Sequence, residues 1–271
     1  MSIRTLIFSL TFFGVFLLGI AFLVVRQNEF PSSIEKKFVF EVSSAFSAGI
    51  KASGTTLLIS SVSGPPYNYP DQSGSLDRVV HEAFRRLRID VNVITLPSER
   101  SLQSADTGII DGDMLRISGL ESDYPHLVMV PEKLTDYEFV AFSRRKDLSI
   151  SNWESLCPYS VGIEIGRKYV ERNAINIRSL IKVGSREQLF QILDLGRVDL
   201  VVYPRETGIQ TLHELNLSGI ACLEPPLATM PVFLYLNQKH ASLTVLLAET
   251  FRGMKKDGTW EKLTSGKEGD R

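Results

Sequence analysis

The sequence predicts an α/β fold in which helices pack on a parallel sheet, and three neighbouring segments carry that prediction. "TLLISSV" (residues 56–62) is rich in strand formers, and "VNVITL" (91–96) reads as a second strand. Between them, "LDRVVHEAFRRL" places Leu76, Val79, Val80, Ala83, Phe84 and Leu87 on one face at helical spacing. A strand, a helix and a strand in succession imply a parallel pair covered by the helix.

The alternation continues along the chain. "IIDGDML" is a short strand candidate and "EFVAF" (138–142) another. "SNWE", with Ser151 three residues before Glu154, has the spacing of a capping box and predicts a helix start. "SVGIEIG" reads as strand and turn, and "LIKV" (180–183) as a strand. "SREQLFQILDLG" reads as a helix opened by Ser185 and Gln188 and stopped at Gly196. "VDLVVY", "IACLE" and "VFLYL" complete the strands, and residues 243–256 form a last amphipathic helix. Neither an internal repeat nor a low-complexity tract interrupts this pattern.

The 271 residues carry 30 basic and 31 acidic side chains with no long run of one sign, which argues against nucleic acid as a partner. The four histidines are scattered without metal-ligand spacing, so no metal or other cofactor is expected. The N-terminus differs in kind. Residues 5–25, "TLIFSLTFFGVFLLGIAFLVV", are uncharged and long enough, at about 1.5 Å per residue, to cross a hydrocarbon core about 30 Å thick. Residues 1–26 therefore read as a signal anchor or signal peptide. "LVVRQNEF" lacks the small residues of a cleavage site, so an uncleaved hydrophobic helix in the inner membrane is expected, with the globular part in the periplasm. Residues 27–53 read as a linker.

Several separated phrases point to one family by their joint order: "TTLLISSVSGPPYNYPDQSGSLDRVVHEAFRRL", "GIIDGDM", "NWESLCPYSVGIEIG", "LGRVDLVVY" and "MKKDGTWEKL". Over residues 54–265 the chain resembles the bacterial extracellular solute-binding proteins of family 3, the receptors of polar amino acid uptake by ABC transporters. The resemblance implies a two-lobed periplasmic-binding-protein-like fold of type II, with two parallel-sheet lobes joined by two crossing strands. Lobe 1 would be 54–137 with 229–265 and lobe 2 would be 138–228, with crossings near "LTDYE" and "LATMP". It further implies a small ligand, an amino acid or other small carboxylate, held between the lobes, and an ABC transporter permease as partner.

Candidate site residues follow from the resemblance and from their own chemistry. Tyr67 and Tyr69, on a loop stiffened by Pro65, Pro66 and Pro70, either stack on a ligand or close the loop against the core. Arg116, at a strand end, either grips a carboxylate through two hydrogen bonds or pairs with Asp113 or Glu121. Ser118 falls near the family's threonine, but "GLESDYP" lacks the arginine that would follow it. Gly166 and Arg167, in "GIEIGRKYV", resemble the family's glycine turn, whose N–H groups at Arg167 and Lys168 would either receive an anion or start a solvated helix. Pro204 replaces the acid that usually holds an α-amino group, with Glu206 nearby, and Asp199 reads as structural. Cys157 and Cys222 are expected to form a disulfide within lobe 2, as an exported location permits.

The expected function is capture of a small polar or anionic metabolite for an ABC importer. The alternatives are a membrane-tethered sensory or accessory domain and an enzyme resembling cyclohexadienyl dehydratases. For the enzyme, Glu164 and Glu206 are the only local acid–base candidates and no catalytic signature is visible, so a non-enzymatic role is expected.

Overall fold

The computed structural model describes residues 56–62 and 64–265; the expected membrane segment and linker lie outside the described residues. Among the described residues no helix is long and apolar enough to cross a membrane. Strand β1 (Leu57–Ser61) leads through the Pro and Tyr loop into helix α1 (Ser75–Arg86), which buries Leu76, Val79, Val80, Ala83 and Phe84. The loop and helix are stitched together by Asp77, whose buried carboxylate accepts the Gly74 and Tyr69 N–H groups and the Asn68 side-chain amide. Strands β2 (Val91–Thr95), β3 (Gly112–Ile117) and β4 (Leu127–Met129) follow, with α2 (Ser98–Asp106) between β2 and β3. β2 and β3 both pair parallel with β1.

Strand β5 (Thr135–Ser143) then carries the chain out of this first lobe. The second lobe holds β6 (Ser160–Glu164), α3 (Lys168–Asn173), β7 (Ser179–Val183), α4 (Arg186–Asp194), β8 (Leu200–Pro204), α5 (Arg205–Glu214) and β9 (Ala221–Cys222). Strand β10 (Ala228–Asn237) returns, and α6 (Ala241–Lys256) and α7 (Thr259–Thr264) pack back on α1. The strand order is β2-β1-β3-β10-β5-β8-β6-β7, with β4 on β10 and β9 on β5.

Among the described residues, two strands join the halves of this sheet. The first part of β5 and the first part of β10 pair antiparallel, from Thr135 opposite Val232 to Phe139 opposite Ala228, with Pro231 opposite Asp136. Beyond that ribbon β10 pairs with β3 and β4, and β5 pairs with β8 and β9. Each lobe has its own core. In the second, Val140, Phe142, Leu189, Phe190, Val201 and Tyr203 are fully buried, and Phe190 meets Phe142 and Tyr203 edge to face. Each such side chain contributes about 1.5–3 kcal/mol when fully buried.

The structure departs from the sequence reading in several elements. Ser151 does not open an α-helix: a single 3-10 turn covers Glu154–Leu156, and the Ser155 hydroxyl accepts the Ser151 and Asn152 N–H groups. Helices α2 and α5 were not predicted. α2 has few large apolar residues to set a period, and α5 contains Gly208, a weak helix former. That glycine is required for packing, since a β-carbon there would lie 2.3 Å from the Phe142 ring.

Helix α1 is tied to α7 at the surface by Arg86, which bonds Glu82, Asp257 and Thr259. Arg85 and Arg86 hold the Glu82 carboxyl down to about 2 from its ordinary 4.5. A lowered carboxyl stabilises the fold above its unfolded value, and that contribution is lost as pH falls from about 4.5 towards 2. Thermal melts across this window should show a shallower acid-side loss of Tm for Glu82→Gln than for wild type, the two converging near the bottom of the window.

Candidate functional site at the lobe junction

The two lobes present matching pieces of chain to each other. β3 carries Asp113 and Arg116 near its C-terminal end, and β6 carries Glu164 followed by Arg167, each an acid and an arginine three residues apart. Strand ends of this kind are where open α/β sheets place their ligand sites. In a regular strand, positions three apart face opposite sides. β3 escapes this because the pairing register with β10 slips between Phe233 and Leu234, opposite Arg116 and Met114, leaving Leu115 as an extra residue at φ +66°. That bulge brings Asp113 and Arg116 to one side. In β6 the turn at Gly166, φ +89°, does the same for Glu164 and Arg167.

Both guanidiniums are buried and hydrogen-bonded within and across the lobes. Arg116 donates from Nε to Asp113 Oδ2 at 2.7 Å, from Nη1 to Ser98 Oγ at 2.9 Å and from Nη2 to the Ser98 carbonyl at 2.7 Å. Its Nη1 also reaches the Gly166 carbonyl of the other lobe at 3.3 Å. Arg167 donates from Nε to Glu164 Oε2 at 2.9 Å and from Nη2 to Tyr203 Oη at 2.6 Å, with its Cζ 4.7 Å from the Tyr203 ring centroid. The same Nη2 crosses to the Val62 carbonyl of the first lobe at 2.9 Å. Each arginine thus pairs at home and donates abroad.

Further bonds surround this pair. The Tyr67 hydroxyl, on the Pro and Tyr loop, donates to Glu206 Oε2 at 2.5 Å, while its ring lies 5.7 Å from that of Tyr137. Burial, the Tyr137 hydroxyl and the Glu206 bond all push the Tyr67 phenol above its ordinary range. Lys168 pairs with Glu99 at 2.7 Å, and Arg172 with Asp123 at 2.8 Å. Burial raises the Asp113 carboxyl although Arg116 opposes it, and its Oδ1 has no hydrogen-bond partner among the described residues. The cavity lined by Leu115, Arg116, Tyr137, Arg167 and their neighbours leaves about 20 Å³ for water centres, room for one water.

Of the residues singled out in the sequence, Tyr67, Arg116, Gly166, Arg167 and Glu206 meet at this junction. Arg116 takes the ion-pair alternative with Asp113 and not Glu121. Ser118 is exposed beyond the strand end, and Tyr69 is half-buried with its N–H on Asp77. The Arg167 N–H is spent on the Glu164 carbonyl at 3.3 Å, and α3 starts without a side-chain cap. The expected disulfide is corrected: both cysteines are free thiols, with Cys157 Sγ beside the Ile175 carbonyl and Cys222 Sγ beside Arg205. Asp199 is structural, accepting the Ser160 N–H and hydroxyl. Tyr203, Ser98, Glu99 and the Val62 carbonyl were not foreseen. The repeated acid-x-x-Arg spacing at two strand ends was the available signal.

No family model matches the chain. An uncharacterized protein of Shewanella oneidensis is 22% identical over 178 residues, covering 62% of this chain and 66% of that protein. Solved structures place the fold. A histidine kinase sensor domain with similarity to periplasmic binding proteins superposes with a TM-score of 0.69 at 17% identity, covering 79% of this chain and 96% of that one. The GluR0 ligand binding core in complex with L-glutamate gives 0.68 at 11% identity, covering 79% and 98%. An ancestral arginine-binding protein bound to arginine gives 0.65 at 19% identity, again covering 79% and 98%. The described chain therefore has the two-lobed fold of the periplasmic binding proteins.

Gly166 offers a test of the junction. A β-carbon there would lie 2.3 Å from the Glu99 backbone nitrogen of the first lobe. Gly119, at φ +80°, has nothing within 4 Å of the same position. Gly166→Ala should cost about 1–3 kcal/mol more than Gly119→Ala in denaturant melts. It should also speed proteolysis at the junction, because the added methyl wedges the lobes apart.

Proposed function

We infer that residues 54–265 act as an extracytoplasmic solute-binding module, with lobe 1 comprising 54–137 and 229–265 and lobe 2 comprising 138–228. The ligand is a small polar or anionic metabolite held between the lobes, and the partner is an ABC importer in the inner membrane. One observation carries this reading: two buried guanidiniums, Arg116 and Arg167, stand at facing strand ends, each already donating across to the opposite lobe. A planar fork of this kind suits a carboxylate. A small acid entering the cleft competes with Asp113 and Glu164 for these forks, while Tyr67 offers its ring and Glu206 accepts a donor.

A second reading, a membrane-tethered sensory domain, is favoured by the apolar run at residues 5–25 and by the likeness to a histidine kinase sensor domain. Both readings share the same cleft and differ in the partner. The dehydratase-like alternative draws no support from the geometry, because Glu164 is paired with Arg167 and Glu206 accepts a hydrogen bond from the Tyr67 hydroxyl.

A thermal-shift screen of the full chain against amino acids, dicarboxylates and aromatic acids tests the solute reading. A ligand present at about 100 times its Kd adds about 2.7 kcal/mol. That raises Tm by about 5–10 °C for a domain of this size. An acidic metabolite should produce this rise. A screen in which no metabolite moves Tm contradicts solute capture.

A further inference from the structure

We propose that Arg167 is an internal ligand: its guanidinium occupies a receptor formed by Glu164, Tyr203 and the Val62 carbonyl, and closes the two lobes without a solute. This goes beyond the solute-binding reading and does not rest on it.

The receptor has the parts that guanidinium recognition needs. A carboxylate meets Nε at 2.9 Å, an aromatic ring lies beneath the plane with its centroid 4.7 Å from Cζ, and a hydroxyl and a carbonyl share Nη2 at 2.6 and 2.9 Å. Three of these groups belong to the second lobe and the carbonyl belongs to the first, at the end of β1. The side chain is 6% exposed, so the cation has been taken out of water and is balanced by Glu164, itself 4% exposed. Burial works against the charge, but Tyr203 and Glu164 outweigh it and leave Arg167 more firmly protonated than an ordinary arginine. A group tethered to its own receptor acts at an effective concentration of about millimolar or above. Free guanidinium compounds therefore do not displace it at lower concentrations, and an anionic solute must exchange partners with the clasp instead of closing an open pair of lobes.

The lobe separation of the full chain can be read by energy transfer between dyes at Ile109→Cys and Leu195→Cys, exposed positions on the first and second lobes, in a Cys157→Ser, Cys222→Ser background. With no solute added, the parent should give one short distance. Arg167→Ala should lengthen it and lower Tm by about 6–20 °C, the loss expected when one partner of a buried ion pair is removed. Methylguanidinium should restore both readings in Arg167→Ala, methylammonium should restore neither, and neither compound should change the parent. A long distance in the parent, a short one in Arg167→Ala, or no selective rescue by methylguanidinium overturns the proposal. If Arg167→Ala does not fold, Arg167→Lys keeps the charge without the fork and should fold with lobes apart; a closed Lys variant overturns the proposal equally. A failed metabolite screen leaves these distances untouched, and open lobes in the parent leave solute capture standing.

Discussion

Charge buried between two lobes must find its partner inside the protein, and that constraint organises the molecule. The charged side chains of Asp113, Arg116, Glu164 and Arg167 are withdrawn from water at the junction. Leaving one uncompensated costs about 3–5 kcal/mol. The local pairs meet most of this demand, further donors go to Ser98 and Tyr203 of the same lobe, and one bond from each arginine reaches a backbone carbonyl of the opposite lobe. Hydrogen-bond geometry therefore helps to specify the junction. An arrangement of this kind is intolerant of displacement, because moving either lobe leaves donors without acceptors.

Local backbone distortion makes the pairing feasible. Leu115 sits in the left-handed region, a placement that costs a bulky residue about 1–3 kcal/mol. The return is that an acid and an arginine from one strand reach the same side. Gly166 solves the same problem in the other lobe without that cost, and at that point no side chain would fit against α2. The two lobes thus reach equivalent pairings by different backbone routes.

Much of the architecture was legible because it rests on periodicity. The apolar face of α1 emerged as read except for Leu87, which caps the helix end half-buried, and β1, β2, β6 and β7 lie where strand formers cluster. α2 and α5 were hidden because their helical state is imposed by neighbours, as with Gly208 against Phe142. At the junction, Tyr67 and Arg167 stood out as candidates through the family resemblance and Arg116 through its place at a strand end; of their partners only Asp113, one of two offered for Arg116, was foreseen. Nothing in "GDMLRIS" announces that Leu115 will take a positive φ, and without that turn Asp113 and Arg116 would face opposite ways. The cysteine pairing failed for a related reason: strand assignment does not say which thiols approach each other.

The ribbon formed by β5 and β10 has a mechanical character of its own. It is two strands wide between Thr135 and Phe139, and opposite Asp136 it contains Pro231, which brings no N–H to the ladder. A narrow antiparallel ribbon resists stretching and sliding, since either would break its register, yet it twists easily because no third strand stiffens it. Once the contacts of the junction are undone, rotation about the ribbon axis is the softest coordinate left to the lobes, like blades on a torsion spring. A pull along that axis is carried from one lobe to the other by the ladder, whereas a twist about it meets two strands, one of them lacking a donor at Pro231.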